Sequence, residues 1–399
     1  MEFLDILDLL EFACATLAIA GIAQSIAGWL AVRRFRMPAR PPAPAFRPAI
    51  TILKPLHGDE PMLEQALATL CAQEYPKFQV VFGVQSAEDT ALPVVQRLAA
   101  RFPGVDIALV IDPTAHGRNR KIGNLINMFP EARHDVIVLA DSDVHVAPDY
   151  LDRVVEELQR PGTGLVTALY TGLPANGGIP ATLGATWITH GFLPGALMAR
   201  VLGRQDCLGG TMALRRSTLV AIGGLAALAH HLADDNVLGR LVRARGFRVG
   251  LARTVTATTV PETTLPALFR HELRWSRTIL ALVPREFVLS SIQHTLFWAL
   301  AAIVASGFDG WSLALFLSAW VVRATAARDI DATLARTHAN LASPAPIWLL
   351  PLRDLISMAV MLASYGGDEV EWRGNMMSTG RTGPYQPTGA RKLMETELS

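Results

Sequence analysis

Four stretches of this sequence combine residue types whose chemistry and spacing go together. In the first, Val136-Ile137-Val138-Leu139-Ala140-Asp141-Ser142-Asp143, an apolar run ends on two carboxylates one residue apart. Ligand sites of open α/β sheets gather at the carboxyl ends of strands. Two acids placed there can hold a hard divalent cation, which in turn neutralises phosphate oxygens. A solvated turn whose Asp caps the next helix is the other reading of the same residues. The second stretch, His231-Leu232-Ala233-Asp234-Asp235-Asn236, puts two acids ahead of a helix-like run, Val237 to Arg245. An N-cap accounts for one of them, whereas an acid in a cleft acts as general base on a hydroxyl. The third is His271-Glu272-Leu273-Arg274-Trp275, followed by Arg277. Arg beside Trp suits an anion next to a sugar or lipid face, and a helix lying on a membrane places its arginines among headgroups equally well. The fourth, Gly117-Arg118-Asn119-Arg120-Lys121-Ile122-Gly123-Asn124, is a basic loop opening a helix, which fits a diphosphate contact or an exposed basic turn.

The elements that must position these residues alternate along the chain. Ile50–Leu53, Gln79–Val84, Ile107–Ile111 and Val136–Leu139 read as short buried strands, with Pro61–Ala72, Ala91–Ala100 and Gly123–Phe129 as the helices between them. That alternation predicts an α/β domain with a mainly parallel, Rossmann-like sheet covered on both faces. From about Gly164 to Arg285 the pattern is less regular and Gly-rich, and this part is expected to complete the sheet and build an acceptor side.

Of 399 residues, 51% are hydrophobic and 18% charged, and the formal net charge is +1. Such a chain is more apolar than an ordinary soluble protein and carries no global field for nucleic acid, so no nucleic-acid partner is expected. Cys14, Cys71 and Cys207 lie far apart and form neither a disulfide framework nor a metal-ligand spacing. Phe12 to Val32 is an uncharged run long enough to span a bilayer. Acids precede it and Arg33, Arg34, Arg36 and Arg40 follow, which argues for a signal anchor over a cleavable signal peptide. By the positive-inside rule the N-terminus lies outside and the chain after Arg33 is cytoplasmic. Phe287–Ser306 reads as a span. Trp311–Val322 is short before Arg323, and Ile347–Tyr365, with Pro351, Arg353 and Asp354, reads as interfacial or re-entrant. The expected organisation is an anchor (1–36), a Pro-rich linker (37–48), a catalytic domain (49–285), membrane helices (286–366) and a tail (367–399).

Taken in order, these features resemble the family 2-like, GT-A-fold glycosyltransferases. Among them the likeness is to the ceramide glucosyltransferases of family 21 and to the bacterial hopanoid-biosynthesis glycosyltransferases. It is carried by Leu53-Lys54-Pro55-Leu56-His57-Gly58, Tyr75-Pro76-Lys77, Arg120-Lys121-Ile122-Gly123-Asn124-Leu125 and Ala140-Asp141-Ser142-Asp143. Cys207-Leu208-Gly209-Gly210-Thr211, Leu232-Ala233-Asp234-Asp235 and Leu273-Arg274-Trp275 complete the set.

The resemblance implies a GT-A domain flanked by membrane helices, and an inverting transfer from a nucleotide-sugar donor to a lipid hydroxyl at the bacterial inner membrane. Asp89, with Glu88 as the alternative, falls at the acid that holds uridine. Lys54, Lys121, Asn124 and Asp141 fall to the donor, and Asp141 and Asp143 to a divalent cation, Mg²⁺ or Mn²⁺. Asp235 falls at the catalytic base. His271, Arg274 and Trp275 match the family's Gln/Arg-X-X-Arg-Trp element, with His at its first position as a departure. The implied partners are a bilayer, a UDP-sugar (UDP-N-acetylglucosamine foremost) and a hopanoid polyol, or UDP-glucose with ceramide. A processive polysaccharide synthase would carry more spans and a leading Gln. A catalytically silent scaffold would have lost the acids, and a transporter would not centre on an α/β domain.

Overall fold

The structure is a computed structural model that describes residues 3–35, 46–338, 343–367, 369–372 and 375–378. Most of the expected Pro-rich linker and of the tail lies outside the described residues. The chain opens with α1 (Phe3–Arg34) and then alternates through β1 (Ile50–Pro55), α2 (Leu63–Cys71), β2 (Phe78–Val84), α3 (Leu92–Arg101), β3 (Asp106–Ile111), α4 (Arg120–Met128) and β4 (Val136–Ala140). It continues through β5 (Val144–His145), α5 (Tyr150–Leu158), β6 (Thr163–Pro174), α6 (Ile179–Trp187), α7 (Leu193–Val201), β7 (Thr211–Arg215), α8 (Arg216–Ala221), α9 (Asp234–Ala244) and β8 (Arg248–Val260). The remaining elements are α10 (Leu265–Leu282), α11 (Pro284–Leu289), α12 (Thr295–Ala305), α13 (Gly310–His338), α14 (Leu350–Ala363) and a hairpin of β9 (Glu369–Trp372) and β10 (Asn375–Ser378).

The expected α/β sheet is present, eight-stranded in the order β3-β2-β1-β4-β7-β6-β8-β5. β3, β2, β1 and β4 are parallel neighbours, and β6 is parallel to β8, whereas β7 and β5 pair antiparallel to theirs. β1 and β4 are buried along their whole length because helices cover both faces, so they read as continuous apolar runs. Their side chains still divide by the period of two. Ile50, Ile52, Val136 and Val138 enter the core under α2, α3 and α5, while Leu53, Ile137 and Leu139 enter the core under α4 and α9. The strand order reverses between β1 and β4, the place where open α/β sheets leave a crevice at their carboxyl ends.

Two local expectations change. The helix expected from Gly123 begins three residues earlier, because Asn119 caps it by accepting from the Ile122 amide at 3.1 Å. Arg120 and Lys121 therefore sit on a helical turn and not in a loop. The irregular stretch after Gly164 contains the two longest strands, β6 with 12 residues and β8 with 13, paired with each other through two register shifts.

Outside the sheet, α1 packs against α12 and α13 through small residues, with Ala18, Ala299, Ala319 and Ala327 at the contact. Gly21 is required there, since a Cβ would come within 2.6 Å of the Ile292 carbonyl oxygen. Ile6–Arg34, Gly310–Arg336 and Ile347–Gly366 are long and apolar enough to cross a membrane. The run expected as one span from Phe287 is instead a pair of helical segments bent by 69°. The helix expected to stop before Arg323 runs on, because that guanidinium meets the Asp354 carboxylate at 3.1 Å inside the bundle. Arg353 is likewise buried and forms a bidentate pair with Glu272 of α10 at 2.8 and 2.7 Å, so α14 locks against the α/β domain.

Candidate active site

β4 delivers Asp141 and Asp143 to the switch point, and β5 closes on β8 immediately afterwards. Asp141 Oδ1 lies 2.7 Å from Lys121 Nζ, which also reaches Asp234 Oδ2 at 3.2 Å. Burial opposes a charged Lys121, but Asp141 and Asp234 outweigh it and hold the ammonium well above the ordinary lysine range. Asp143 accepts a hydrogen bond from Thr258 Oγ1, and its backbone carbonyl accepts from the Thr259 amide at 3.1 Å. Burial and then the neighbouring Asp141 raise the Asp143 carboxyl. Between them, Ser142 donates to Glu60 Oε2 at 2.5 Å.

Asp234 and Asp235 form the first turn of α9, where unpaired backbone amides favour negative charge. Asn119 donates to Asp234 Oδ1 at 3.3 Å and to the His231 carbonyl at 2.8 Å, so the capping residue of α4 also fixes the loop before α9. Asp235 accepts from the Asn236 amide at 2.7 Å. Burial, then Asp234, pushes its carboxyl up to about 7. Gly209 makes room for it: a Cβ there would stand 3.2 Å from Asp235 Oδ2.

The acids and Lys121 share a cavity of about 620 Å³ with α10 and α6. Its far wall is a row of aromatic rings. Tyr170 stacks on Phe192 at 4.6 Å, Phe192 and Trp187 are 6.4 Å apart, Trp187 and Trp275 5.5 Å, and His271 stands edge-on to Trp275 at 4.6 Å. A π-helical turn over Ile188–Phe192 brings Phe192 into that row. Ile188, Leu268, Ile279 and Leu282 extend the apolar surface, and Ile279 and Leu282 are exposed.

Asp141, Asp143, Lys121, Asp235, His271, Arg274 and Trp275 thus come together around one cavity. Four expected residues stand apart from it. Lys54 is buried beneath the floor, donating to the Val144 carbonyl at 3.4 Å, and burial brings its ammonium down to about 8 against the pull of Asp143, Asp141 and Glu60. Asn124 is buried in α4 and donates to the Gly83 carbonyl at 2.7 Å, where it holds α4 on β2. Asp89 accepts from the Gly58 and Ala91 amides, both at 2.9 Å, and joins the loops after β1 and β2. Glu88 is exposed and bonds the Ser86 hydroxyl. Sequence reasoning missed Thr258, Glu262, Tyr170, Trp187 and Phe192, which carry no motif of their own.

Among the described residues no group of three His, Cys, Asp or Glu side chains is placed to hold a metal ion. The two carboxylates after β4 still fit a Mg²⁺-type ion, which is held by one or two protein carboxylates with substrate phosphates and water completing its shell.

Fold and cavity define an α/β protein with membrane-length helices and an acid-lined cleft at the sheet's switch point. The chain belongs to glycosyl transferase family 21, whose model matches residues 13–384. It is 23% identical over 283 residues to ceramide glucosyltransferase 1 of Caenorhabditis elegans, a match covering 69% of this chain and 60% of that protein. A ceramide glucosyltransferase of Komagataella phaffii is 32% identical over 123 residues, covering 30% of this chain and 24% of that one. Among solved structures, the mannosyltransferase PcManGT of Pyrobaculum calidifontis, in complex with GDP-Man and Mn²⁺, is similar with a TM-score of 0.48 and 20% identity, covering 89% of this chain and 99% of that one.

Proposed function

We propose that this chain is an inverting, metal-dependent glycosyltransferase that moves a sugar from a UDP-sugar to a hydroxyl of a membrane lipid. One observation carries this reading: a single cavity joins an acid and lysine cluster at the sheet's switch point to an apolar, aromatic wall on α6 and α10. The first end suits a nucleoside diphosphate and the second a lipid. Helices of membrane-crossing length beside that wall let the acceptor enter laterally, its tail still in the bilayer. Arg33 and Arg34 in the last turn of α1 support a cytoplasmic catalytic domain at the bacterial inner membrane.

In this mechanism Asp235 takes the proton of the acceptor hydroxyl. Its oxygen attacks the anomeric carbon, and the bond to the diphosphate breaks with inversion. A base with a pKa near the working pH is effective in that role, and burial beside Asp234 brings Asp235 to about 7. Lys121 and Arg274 meet the departing diphosphate, and Trp275 presents a face to sugar or lipid. Asp141 and Asp143 would hold the divalent cation, which supplies charge neutralisation at the diphosphate when bound. Asp89 or Glu88, on the loop after β2, is the proposed uridine contact beside the cleft, whereas Lys54, fully buried, acts on the donor only through its charge beneath Asp141 and Asp143.

UDP-N-acetylglucosamine and a hopanoid polyol are the narrower assignment, supported by the resemblance of His116–Lys121 and Leu232–Gly239 to the hopanoid branch. The ceramide glucosyltransferase relatives favour a second assignment, UDP-glucose with ceramide. Purified protein in detergent, offered both donors with either lipid and with Mg²⁺, Mn²⁺ or EDTA, decides between them by UDP release. Lipid-dependent, metal-dependent release from one pair is expected. Folded protein that releases none from any pair refutes the reading.

A further inference from the structure

The two sides of the aromatic wall are tied to different membrane-length helices. On one side Trp187 ends α6 and Phe192 ends the π-helical turn, and on the other Trp275 stands on α10. Within the turn, Thr189 Oγ1 accepts from the Gly172 amide at 3.1 Å, which joins it to β6. The next residue, His190, is buried and brings Nε2 to 3.1 Å from Asp331 Oδ1 of α13. Asp331 is buried as well, and its other oxygen accepts from the Ala345 amide at 3.1 Å, on the chain that leads into α14. α14 in turn carries Arg353, whose guanidinium holds Glu272 of α10 and reaches the Leu183 carbonyl of α6 at 3.5 Å. Both sides of the wall are therefore reached from Asp331: the turn through His190, and α10 through the start of α14.

Stability does not account for the His190 contact. It is short but not aligned as a hydrogen bond, and the ring's Nδ1 has no hydrogen-bond partner among the described residues. The neighbours of Asp331 on either side are apolar, with Ile330 and Leu334 packed on Leu193 and Leu197 of α7. A buried polar pair in such a place is often matched in stability by apolar residues, and its best-attested use is to fix which packing is adopted. The packing at issue is a π-turn, a departure from α-helical geometry that recurs at functional sites. Phe192 follows His190 by two residues and stands in the wall between Tyr170 and Trp187. We infer that Asp331 is a positioning residue for the acceptor: through His190 and the start of α14 it sets how Trp187 meets Trp275, and so the shape of the apolar end of the cavity. The inference rests on the lipid-acceptor reading of the cavity and adds to it a membrane-helix residue that is not part of the lining.

The test measures initial rates of full-length protein in detergent with Mn²⁺, on UDP-glucose with ceramide and on UDP-N-acetylglucosamine with a hopanoid polyol, varying donor and lipid in turn. Asp331→Ala should raise the lipid KM by about tenfold while kcat, donor KM and UDP affinity stay within about threefold, a split that marks lost acceptor binding and not general damage. Asp331→Asn keeps an oxygen for the Ala345 amide and an N–H for His190, and should return the lipid KM to within about threefold of wild type. In a Phe192→Ala background, where that part of the wall is already removed, Asp331→Ala should add less than about twofold, because both act through one surface. His190→Leu removes the same contact from its other end and should raise the lipid KM to a similar degree; it decides the matter where Asp331→Ala fails to fold. An unchanged lipid KM, a donor KM that rises as much, or full additivity with Phe192→Ala overturns the positioning role and leaves the proposed function standing. Folded wild-type protein that releases UDP from neither pair overturns both.

Discussion

Asp235→Asn should abolish transfer and at the same time stabilise the fold, by an amount that depends on pH. Asp235 is desolvated and faces Asp234 and Asp141, and Lys121 compensates only in part. Its carboxyl stands at about 7 in the folded chain, against about 3.9 for an unperturbed aspartate. A gap of about three units corresponds to about 4 kcal/mol at most. Solvent in the open cavity screens the group, so about half of that, about 2 kcal/mol, is the working figure. A raised carboxylate pKa means that the folded state holds more protons than the unfolded state between about pH 4 and pH 7. Wild-type stability therefore falls as pH rises through that window, whereas the Asn variant does not titrate there. Its advantage should be small near pH 4, grow through pH 7 and stay level above, reaching about 4–8 °C in apparent Tm for a domain of this size. Thermal unfolding of both proteins in detergent at several pH values from 5 to 8 measures it. In the same experiments wild-type kcat/KM should be about tenfold lower at pH 6 than at pH 8, as a base of this pKa requires. An equal Tm gain at pH 5 and pH 8, or retained turnover in the variant, refutes the assignment.

Lys121→Met removes the cation that lies between Asp141 and Asp234; UDP affinity, followed by calorimetry, should weaken by about tenfold or more, and unchanged affinity contradicts a donor role. Glu272→Gln leaves Arg353 charged and buried between α10 and α14, which should cost about 3–5 kcal/mol. The apolar pair Glu272→Leu with Arg353→Met should recover most of the lost Tm, and a double variant as unstable as the single one refutes that account.

Local patterns carried much of this protein. The apolar run ending in Asp141 and Asp143, the strand and helix alternation to β4, and the long N-terminal helix were legible because each is written in consecutive residues with a period or a length. The ordered set of short motifs was legible as a family likeness, and the match over residues 13–384 agrees with it. The start of α4 was misplaced because an N-cap at Asn119 is one side-chain bond that no periodicity records. The long strands β6 and β8 were obscured because their glycines and threonines are stabilised by pairing with each other across the chain.

Charge in the membrane-length helices misled for a similar reason. Arg323, Arg353 and Asp354 look prohibitive in an apolar run until their partners are known, and Glu272 lies 81 residues from Arg353. The same holds inside the cleft, where Glu262 meets His271, Thr258 meets Asp143 and Trp187 meets Trp275. Sequence alone determined the acids, the Arg-Trp pair and the basic turn that carry the chemistry, the strand and helix alternation as far as β4, and the membrane-length N-terminal helix. Only the tertiary structure decided which of them face one another, because packing brings distant residues into contact, and burial there sets which carboxylates stay ionised and which hold their protons.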